Sequence, residues 1–437
     1  MDATALPGAP ATAARPARAG RNAAIGLITL SLFTGTAARY ALSPLQELVR
    51  VDLGLGDNQV ALLQGMAIAL PTALMSVPLG RLVDRGNRAR LLLVLAILCA
   101  AGSVLTALAH NFALAFCARM LVCAAVVAAQ PTALSLVADL TAPDQRGRMI
   151  TLTALGQAMG GTVAYILAGK LLAWLPVLAP SLVSSMAPWR LVTLAFAGAV
   201  LVAAAALVFM REPLRREAIA QPGNLKQALR ALWTYRRFML PLTAGMVTVG
   251  MADAAAAIWA VPILTRTFHQ SPADFGTWMG ILNLGSGVVG AVLGGVAADL
   301  SQRRGQGGVL TGAVIAAALS VPAALFCLMP GVWGFAALLA LLLTCGACAN
   351  IAATSAIMVI MPNQLRGICM SLVVAVIGLS AFGVAPLLVS VGAQVFAKGG
   401  ALEMPLAVVG VATSLLATFA FLRAQRCAAP LTPMESP

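Results

Sequence analysis

Apolar segments of 20 residues or more recur along this chain of 437 residues, and short polar connections separate them. A helix needs about 20 apolar residues to cross the hydrocarbon core of a bilayer. The pattern therefore predicts an all-α membrane protein with twelve spanning helices. Their predicted positions are 22–46, 58–80, 90–109, 112–137, 148–174, 190–210, 238–265, 274–298, 308–329, 332–360, 367–396 and 402–423.

The longest polar stretch inside the chain is residues 211–237, and it divides the predicted helices six and six. Within it, a short amphipathic helical pattern that starts at Leu225 is expected to lie along the membrane surface. The predicted domains are a disordered N-terminus (1–21), an N-terminal six-helix bundle (22–210), a linker (211–237), a C-terminal six-helix bundle (238–423) and a tail (424–437).

The composition excludes an ordinary soluble protein. Hydrophobic residues make up 60% of the chain and charged residues 10%, whereas soluble domains carry about 25% charged residues. The net charge of +14 comes from basic residues that gather on alternate connections. The other connections carry only Arg50, Lys170, Arg190, Arg266 and Lys398. By the positive-inside rule, both termini and the linker are predicted to be cytoplasmic, in an inner membrane, and the charge implies no nucleic-acid partner.

A short motif of glycine, acid and base occurs twice, and each pair of matching residues is 215 positions apart. The pairs are Gly80 with Gly295, Asp84 with Asp299, and Arg88 with Arg303. Since this spacing is about half the chain, the protein is predicted to consist of two similar halves. In so apolar a chain, two repeated bundles are typical of a secondary transporter, with its binding site near the membrane midplane.

A second repeat, Arg146-Gly147 and Arg366-Gly367, precedes the fifth and eleventh spans. A helix N-terminus attracts a carboxylate, so Asp84 is expected to meet the eleventh helix and Asp299 the fifth. These contacts would latch the halves together on the cytoplasmic side. The alternative is that both acids only complement nearby arginines. The predicted latch residues are Gly80, Asp84, Arg85, Arg88, Gly295, Asp299, Arg303, Arg146 and Arg366.

The segment from Gly80 to Arg90 resembles the loop between helices two and three of the major facilitator superfamily. The second motif, the twelve spans and the central basic stretch are similar to that family as well. More narrowly, residues 53–59, 62–65 and 135–139, with Glu212-Pro213, resemble its spinster-like branch. The resemblance implies two six-helix bundles around a central cavity that rock between two states. Members of that branch are implicated in moving lysolipids and related amphipathic molecules.

The chain departs from the family at two acidic positions. The family usually has an Asp-Arg pair in helix one, where this chain has Ala38-Arg39. It usually has a Glu in helix four, seven residues after an Arg, where this chain has Val126 after Arg119. The resemblance therefore implies that the N-terminal half lacks the carboxylates expected to handle protons.

Three charged residues remain deep within predicted spans: Arg39, Arg119 and Asp253. A charge at that depth costs several kcal/mol unless it is paired or hydrated, so all three are functional candidates. Asp253 is predicted either to line the cavity and carry a proton or to form a structural ion pair with one of the arginines. Arg119 is also a candidate for holding an anionic head group. Further candidates for lining the cavity, with plain packing the favoured interpretation, are Gln157, Tyr40 and Trp259.

The predicted function is secondary active transport of a small amphipathic or anionic molecule by alternating access, with proton coupling as one option. The alternatives are a facilitated uniporter and a non-transporting receptor or sensor. Neither an enzyme nor a cofactor is predicted, because no paired carboxylates or nucleophile–base constellation falls in a likely cavity. Cys345 and Cys348 have metal-ligand spacing but no second pair, and His110 and His269 fall in outer connections. The expected partners are the substrate and the bilayer, with the protein a monomer.

Overall fold

The computed structural model describes residues 18–74, 86–178, 180–213, 225–303, 308–396 and 401–428. Within these ranges the chain is almost entirely helical and contains no strand. The first six long helices are α1 (Arg18–Asp52), α2 (57–74), α3 (Arg88–Ala107), α4 (Phe112–Leu140), α5 (Pro143–Leu178) and α6 (Pro188–Leu207). The next six are α7 (Arg236–Arg266), α8 (Pro272–Arg303), α9 (Thr311–Leu328), α10 (Val332–Ile360), α11 (363–396) and α12 (Glu403–Ala428).

Eleven of the described helices are long and apolar enough to cross a bilayer, and α2 is described only as far as residue 74. Each predicted span coincides with one of these helices, so the predicted all-α membrane fold is confirmed. Several helices, among them α1, α5 and α8, run a few residues past the predicted spans, because polar end turns stay helical beyond the apolar core. The amphipathic pattern in the linker forms the surface helix Leu225–Thr234.

Local sequence sets several helix ends. The side chain of Asn87 accepts a hydrogen bond from the backbone N–H of Arg90 at 2.8 Å, and Asn111 accepts one from Leu114 at 2.9 Å. These N-caps satisfy backbone donors that would otherwise be unpaired at the starts of α3 and α4. Between α1 and α2 the chain turns through Gly54, whose φ of +63° favours glycine.

Small residues let the helices pack closely within each half. A Cβ atom at Gly245 of α7 would lie 2.6 Å from the ring of Phe421 in α12. In the other half, a Cβ atom at Gly102 of α3 would lie 2.9 Å from Val122 in α4. Since lipid tails are as apolar as the side chains, such close van der Waals packing is what holds membrane helices together.

The helices run antiparallel, which gives the molecule two distinct ends. We call one the basic end: it carries residue 18, residue 428 and the connection between α6 and α7, where most arginines lie. We call the other the opposite end: it carries the connections from α1 to α2 and from α7 to α8.

Candidate functional site

The two six-helix halves meet along three helix pairs: α5 with α8, α2 with α11, and α1 with α7. Between α5 and α8 the backbones touch at glycines. A Cβ atom at Gly169 would lie 2.2 Å from the carbonyl oxygen of Pro272, and one at Gly276 would lie 2.5 Å from that of Tyr165. Only glycine fits at these positions, so the halves are in direct backbone contact there.

The contact between α2 and α11 involves two π-helical segments, Leu62–Met66 and Gly378–Val384. They face each other, since a Cβ atom at Gly65 would lie 2.1 Å from the carbonyl oxygen of Phe382. A π-helical segment leaves the regular helical bonding pattern and frequently marks a functional position. Nearer the opposite end, the Nδ2 atom of Asn58 donates to the Oε1 atom of Gln394 at 3.1 Å.

An ion-pair cluster joins the halves at the opposite end. Arg266, the last residue of α7, donates to both carboxylate oxygens of Glu47 in α1, at 3.0 and 2.8 Å. It also donates to both oxygens of Asp57, the first residue of α2, at 3.1 and 2.6 Å. The Glu47 side chain is only 9% exposed and also pairs with Arg50. One guanidinium from the C-terminal half therefore binds two acids of the N-terminal half.

Below this cluster, the buried side chain of Gln46 in α1 donates to the carbonyl oxygen of Ile258 in α7 at 2.7 Å. Every hydrogen bond or ion pair that we observe between described residues of different halves lies toward the opposite end. The structure is therefore sealed at that end by backbone contact, hydrogen bonds and ion pairs together.

Toward the basic end, the buried contact between α5 and α8 gives way to exposed side chains. On α5, Leu152, Leu155 and Met159 are all more than 40% exposed, whereas Tyr165, further along the helix, is 4% exposed. On α8 the same change occurs between the buried Phe275 and Met279 and the exposed Val292, Val296 and Leu300. Near the basic end these two helices therefore present exposed surface in place of the buried contact that they make near the opposite end.

The predicted latch is not assembled among the described residues. Gly80, Asp84 and Arg85 lie outside them. Asp299 and Arg303 are exposed, and neither forms an ion pair with another described residue; at Gly295 a Cβ atom would meet open space. Arg146 donates to the carbonyl oxygen of Ala138, and Arg366 to that of Met361, so both contacts stay within one half.

Arg88, another predicted latch residue, is bound inside the N-terminal half. Its Nη1 atom lies 2.5 Å from Asp139 in α4, and its Nε atom lies 2.9 Å from Glu212, beyond α6. Glu212 also accepts from the backbone N–H of Ala89 at 2.8 Å. The Arg88 side chain is 4% exposed, and this network ties α3 and α4 to the segment after α6 at the basic end rather than joining the halves.

Two predicted site residues, Arg39 of α1 and Arg119 of α4, come together within the N-terminal half. Their guanidinium groups are close enough to repel each other. Arg119 is 3% exposed and donates to the Oε1 atom of Gln64 in α2 at 3.2 Å. Arg39 is half-buried and lies 5.1 Å from the ring centroid of Tyr40. The structure thus gathers Arg39, Arg119 and Tyr40, and adds Gln64.

Neither arginine of this pair meets a carboxylate among the described residues, and the Nε atom of each is buried without a hydrogen-bond partner there. Buried guanidinium groups that lack a counter-charge are costly, so they are expected to be matched by an anion from outside the protein. We call Arg39 and Arg119 the arginine pair.

Asp253 lies apart from the arginine pair, in the middle of α7, and forms no ion pair with it. Its carboxylate packs against α10 at Gly346, where a Cβ atom would lie 2.1 Å from Oδ2. Its Oδ1 atom is buried without a hydrogen-bond partner among the described residues. One turn along α10, Asn350 donates to the carbonyl oxygen of Gly346 at 3.2 Å. Glycine at position 346 therefore provides the space for this acid.

The remaining candidates differ in their surroundings. Trp259 is fully buried and donates to the carbonyl oxygen of Pro386 at 3.1 Å, so it packs inside the C-terminal half and lines no open space. Gln157 is half-buried on α5, in the region where the halves separate.

A groove of about 310 Å³ lies between α10 and α11 in the C-terminal half. Asn350, Thr354 and Ser355 give it a polar strip. The rest of its lining is apolar: Met246, Ile351, Met370, Val373, Val374 and Ile377. A surface of this kind suits a molecule that has both a polar and an apolar part.

Glu47, Asp57 and Arg266 are not among the functional residues predicted from the sequence. Glu47 precedes Arg266 by 219 positions, and each residue alone is typical of a charged helix end. The sequence did offer one signal, which is the scarcity of basic residues in the outer connections. Arg50 and Arg266 are two of only five basic residues there.

Comparison with known proteins places this geometry in a family. The sequence profile of the Major Facilitator Superfamily matches residues 28–385. A triacylglyceride transporter from Mycolicibacterium hassiacum is 30% identical over 179 residues, which cover 39% of this chain and 32% of the relative. An MFS-type efflux pump from Mycolicibacterium smegmatis is 25% identical over 280 residues, which cover 63% of this chain and 62% of the relative.

Among solved structures, a crystal structure of a bacterial homologue of the human lysosomal transporter Spinster, inward-facing and unoccupied, has a TM-score of 0.84 to this chain. The two chains are 19% identical, and the match covers 96% of this chain and 100% of the other. The resemblance to spinster-like proteins that the sequence predicted is thus confirmed at the level of the fold. Because the family profile covers most of its length, this chain belongs to the Major Facilitator Superfamily.

Proposed function

We propose that this protein is a secondary transporter for an anionic amphipathic molecule in an inner membrane, with the basic end in the cytoplasm. The observation that carries the proposal is the arginine pair, whose positive charge meets no carboxylate of the described residues. The pair lies beneath the sealed opposite end, because Arg119 is seven residues, or about 11 Å, along α4 from that end. A ligand that enters from the open basic end would meet it at the bottom of the opening.

The arginine pair suits a carboxylate or phosphate head group. A guanidinium presents several donors in a planar arrangement that matches two oxygens of such a group. Arg39 and Tyr40 are partly exposed, so the head group would meet Arg39 first. Arg119 lies deeper and would bind the same head group. The substitutions in helices one and four support this role, since Ala38 and Val126 stand where the family usually has acids that would neutralise these arginines.

An apolar tail is supported by the lining of the groove between α10 and α11, in which three polar residues face six apolar ones. One relative is a triacylglyceride transporter, which supports a substrate that carries acyl chains. Together the arginine pair and the apolar lining of this groove favour an acylated anion over a sugar or another fully polar solute.

Alternating access would depend on the ion-pair cluster at the opposite end. In this structure Arg266 holds α1 and α2 against α7, which corresponds to an inward-open state if the basic end is cytoplasmic. To open outward, the protein must break the contacts of Arg266 with Glu47 and Asp57 and form replacement contacts at the basic end. The exposed Asp299 and Arg303 are candidates for those replacements.

Asp253 is the candidate proton carrier. It is the acid that lies in the middle of a described spanning helix, and it has neither an ion-pair partner nor a hydrogen bond at Oδ1 there. A carboxylate so placed is costly when charged and unpaired, so its protonation would be sensitive to any change in α7–α10 packing. A shift of α7 against α10 within the C-terminal half, as the halves rock, would therefore couple proton release to the conformational change.

The first prediction concerns substrate charge. Arg119→Ala should weaken binding of an acyl-chain anion, such as lysophosphatidic acid, by roughly tenfold to a hundredfold, because a hydrogen bond to a charged group contributes about 1.5–3 kcal/mol. Binding of a monoacylglycerol with the same chain should change little. The assay is ligand binding to purified protein, with Arg90→Ala as a control that removes an exposed arginine of the same half. Equal losses for the anion and the uncharged lipid would contradict a head-group role.

The second prediction concerns coupling. Asp253→Asn keeps the shape of the side chain but removes its ability to carry a proton. In proteoliposomes, accumulation of the anion driven by a pH gradient should disappear, while exchange of bound for free substrate continues. Asp274→Asn, which changes an exposed acid of α8, serves as the matched control. Gradient-driven accumulation by Asp253→Asn at the normal level would rule out this acid as the proton site.

The third prediction concerns the seal. Arg266→Gln should shift the population toward the state open at the opposite end by about fivefold, which corresponds to ~1 kcal/mol from partly exposed ion pairs. Spin labels at the exposed positions Val51 and Val395, one in each half, would report the longer distance. Arg190→Gln is the matched control, since Arg190 binds Asp52 at the same end but within one half. An unchanged distance distribution in Arg266→Gln would leave the cluster without a gating role.

A further inference from the structure

A second groove lies on the outside of the C-terminal half, between α7 and α12 near the basic end, with a volume of about 610 Å³. It shares no residue with the arginine pair or with the contact between the halves. The residues that line it are Arg236, Arg237, Leu240, Pro241, Ala244, Thr248, Leu416, Phe419, Ala420 and Arg423.

The groove faces away from the core of its half. Phe238, Leu242 and Phe421, on the inner faces of the same two helices, are fully buried. By contrast, Leu240 and Phe419 on the groove side are 59% and 64% exposed. Since α7 and α12 both have the length and hydropathy of spanning helices, these exposed apolar side chains face the bilayer.

Positive charge is concentrated at one end of the groove. Arg236 and Arg237 start α7, and Arg423 lies in the last turns of α12 beside them. None of the three forms an ion pair with a described residue, and the partial positive charge at the start of α7 adds to theirs. This end of the groove therefore attracts an anion.

The arginines lie at head-group depth. Arg236 stacks on Trp233, the tryptophan of the surface helix, with 5.7 Å between its Cζ atom and the ring centroid. Trp233 is 62% exposed, and exposed tryptophans of membrane proteins concentrate at the boundary between head groups and hydrocarbon. From Arg237 the groove continues along α7 to Thr248, about 17 Å at 1.5 Å per residue, which is close to the ~15 Å thickness of one hydrocarbon leaflet.

We propose that this groove is a binding site for an anionic phospholipid of the leaflet at the basic end. The phosphate and anionic head group bind Arg236, Arg237 and Arg423, and an acyl chain lies along Leu240, Ala244, Leu416 and Phe419. Basic pockets between spanning helices are suited to such head groups, and each arginine near the surface contributes measurably to attraction. The lipid is not the transported substrate, because the groove does not open toward the contact between the halves.

Binding can be tested by native mass spectrometry of the full chain, titrated with palmitoyl-oleoyl phosphatidylglycerol and, separately, with phosphatidylcholine of the same chains. The triple change Arg236→Gln, Arg237→Gln and Arg423→Gln should weaken phosphatidylglycerol binding on the order of a hundredfold. The matched control is Arg90→Gln, Arg211→Gln and Arg426→Gln, which removes the same charge from exposed positions outside the groove. The control should bind phosphatidylglycerol as the unmodified chain does.

A second variant tests the acyl chain and does not depend on the arginines. The double change Ala244→Phe and Ala420→Phe places two large side chains in the groove without changing its charge. It should weaken binding of the two-chain lipid at least tenfold. If the triple glutamine variant does not fold, Arg423→Gln alone should show a loss of about fivefold. Inorganic phosphate and glycerol phosphate should not displace the lipid at millimolar concentration.

Three outcomes would overturn the proposal: equal affinity of the triple variant and its control for phosphatidylglycerol, equal affinity of the protein for both lipids, or displacement by soluble phosphate. The last would identify a site for a soluble anion. The variants change residues of this groove and leave Arg39 and Arg119 intact. A failure of this test would therefore leave the transport proposal untouched, and the failure of the transport proposal would not affect it.

Discussion

A charge placed in the hydrocarbon core of a membrane must be paired, hydrated or matched by a ligand, because leaving it isolated costs several kcal/mol. This chain has few charges at such depth, so the arrangement of each one determines what the molecule can do. At the helix ends, by contrast, acids pair with Arg88 within one half and with Arg266 between the halves. The arginine pair and Asp253 have no counter-charge among the described residues, and the proposed binding and coupling both follow from that difference.

The paired charges at Arg266 and the unpaired charges of the arginine pair lie in different parts of the molecule. The cluster at Arg266 closes the opposite end, and the glycine contacts of α5 with α8 and of α2 with α11 let the backbones approach closely beneath it. The arginine pair lies under this seal and faces the open side. A molecule bound there would touch helices that must separate when the seal breaks, so binding and rocking act on the same elements. The π-helical segments of α2 and α11, which meet across the contact, are positioned to absorb that movement.

Much of the fold could be predicted from the sequence because hydropathy and the charge of the connections are local properties. The spans and the helix in the linker follow from that level, and so does the choice of Arg39, Arg119 and Asp253 as candidate residues. The seal at Arg266 could not be predicted, since its partners are more than 200 positions away and meet only when the halves pack. For Trp259, packing was the favoured interpretation and a place in the cavity the alternative, and the structure buries it against Pro386. The predicted latch needs a state in which the basic end is closed.

In the proposed function, the arginine pair holds the anionic head group of the transported molecule. The most direct measurement is a cryo-EM structure of the protein with a bound acyl-chain anion whose tail carries a bromine or iodine label. We expect head-group density within hydrogen-bond distance of the guanidinium groups of Arg39 and Arg119, with the tail toward the groove between α10 and α11. Density for the head group elsewhere, with both arginines facing protein carboxylates, would contradict it.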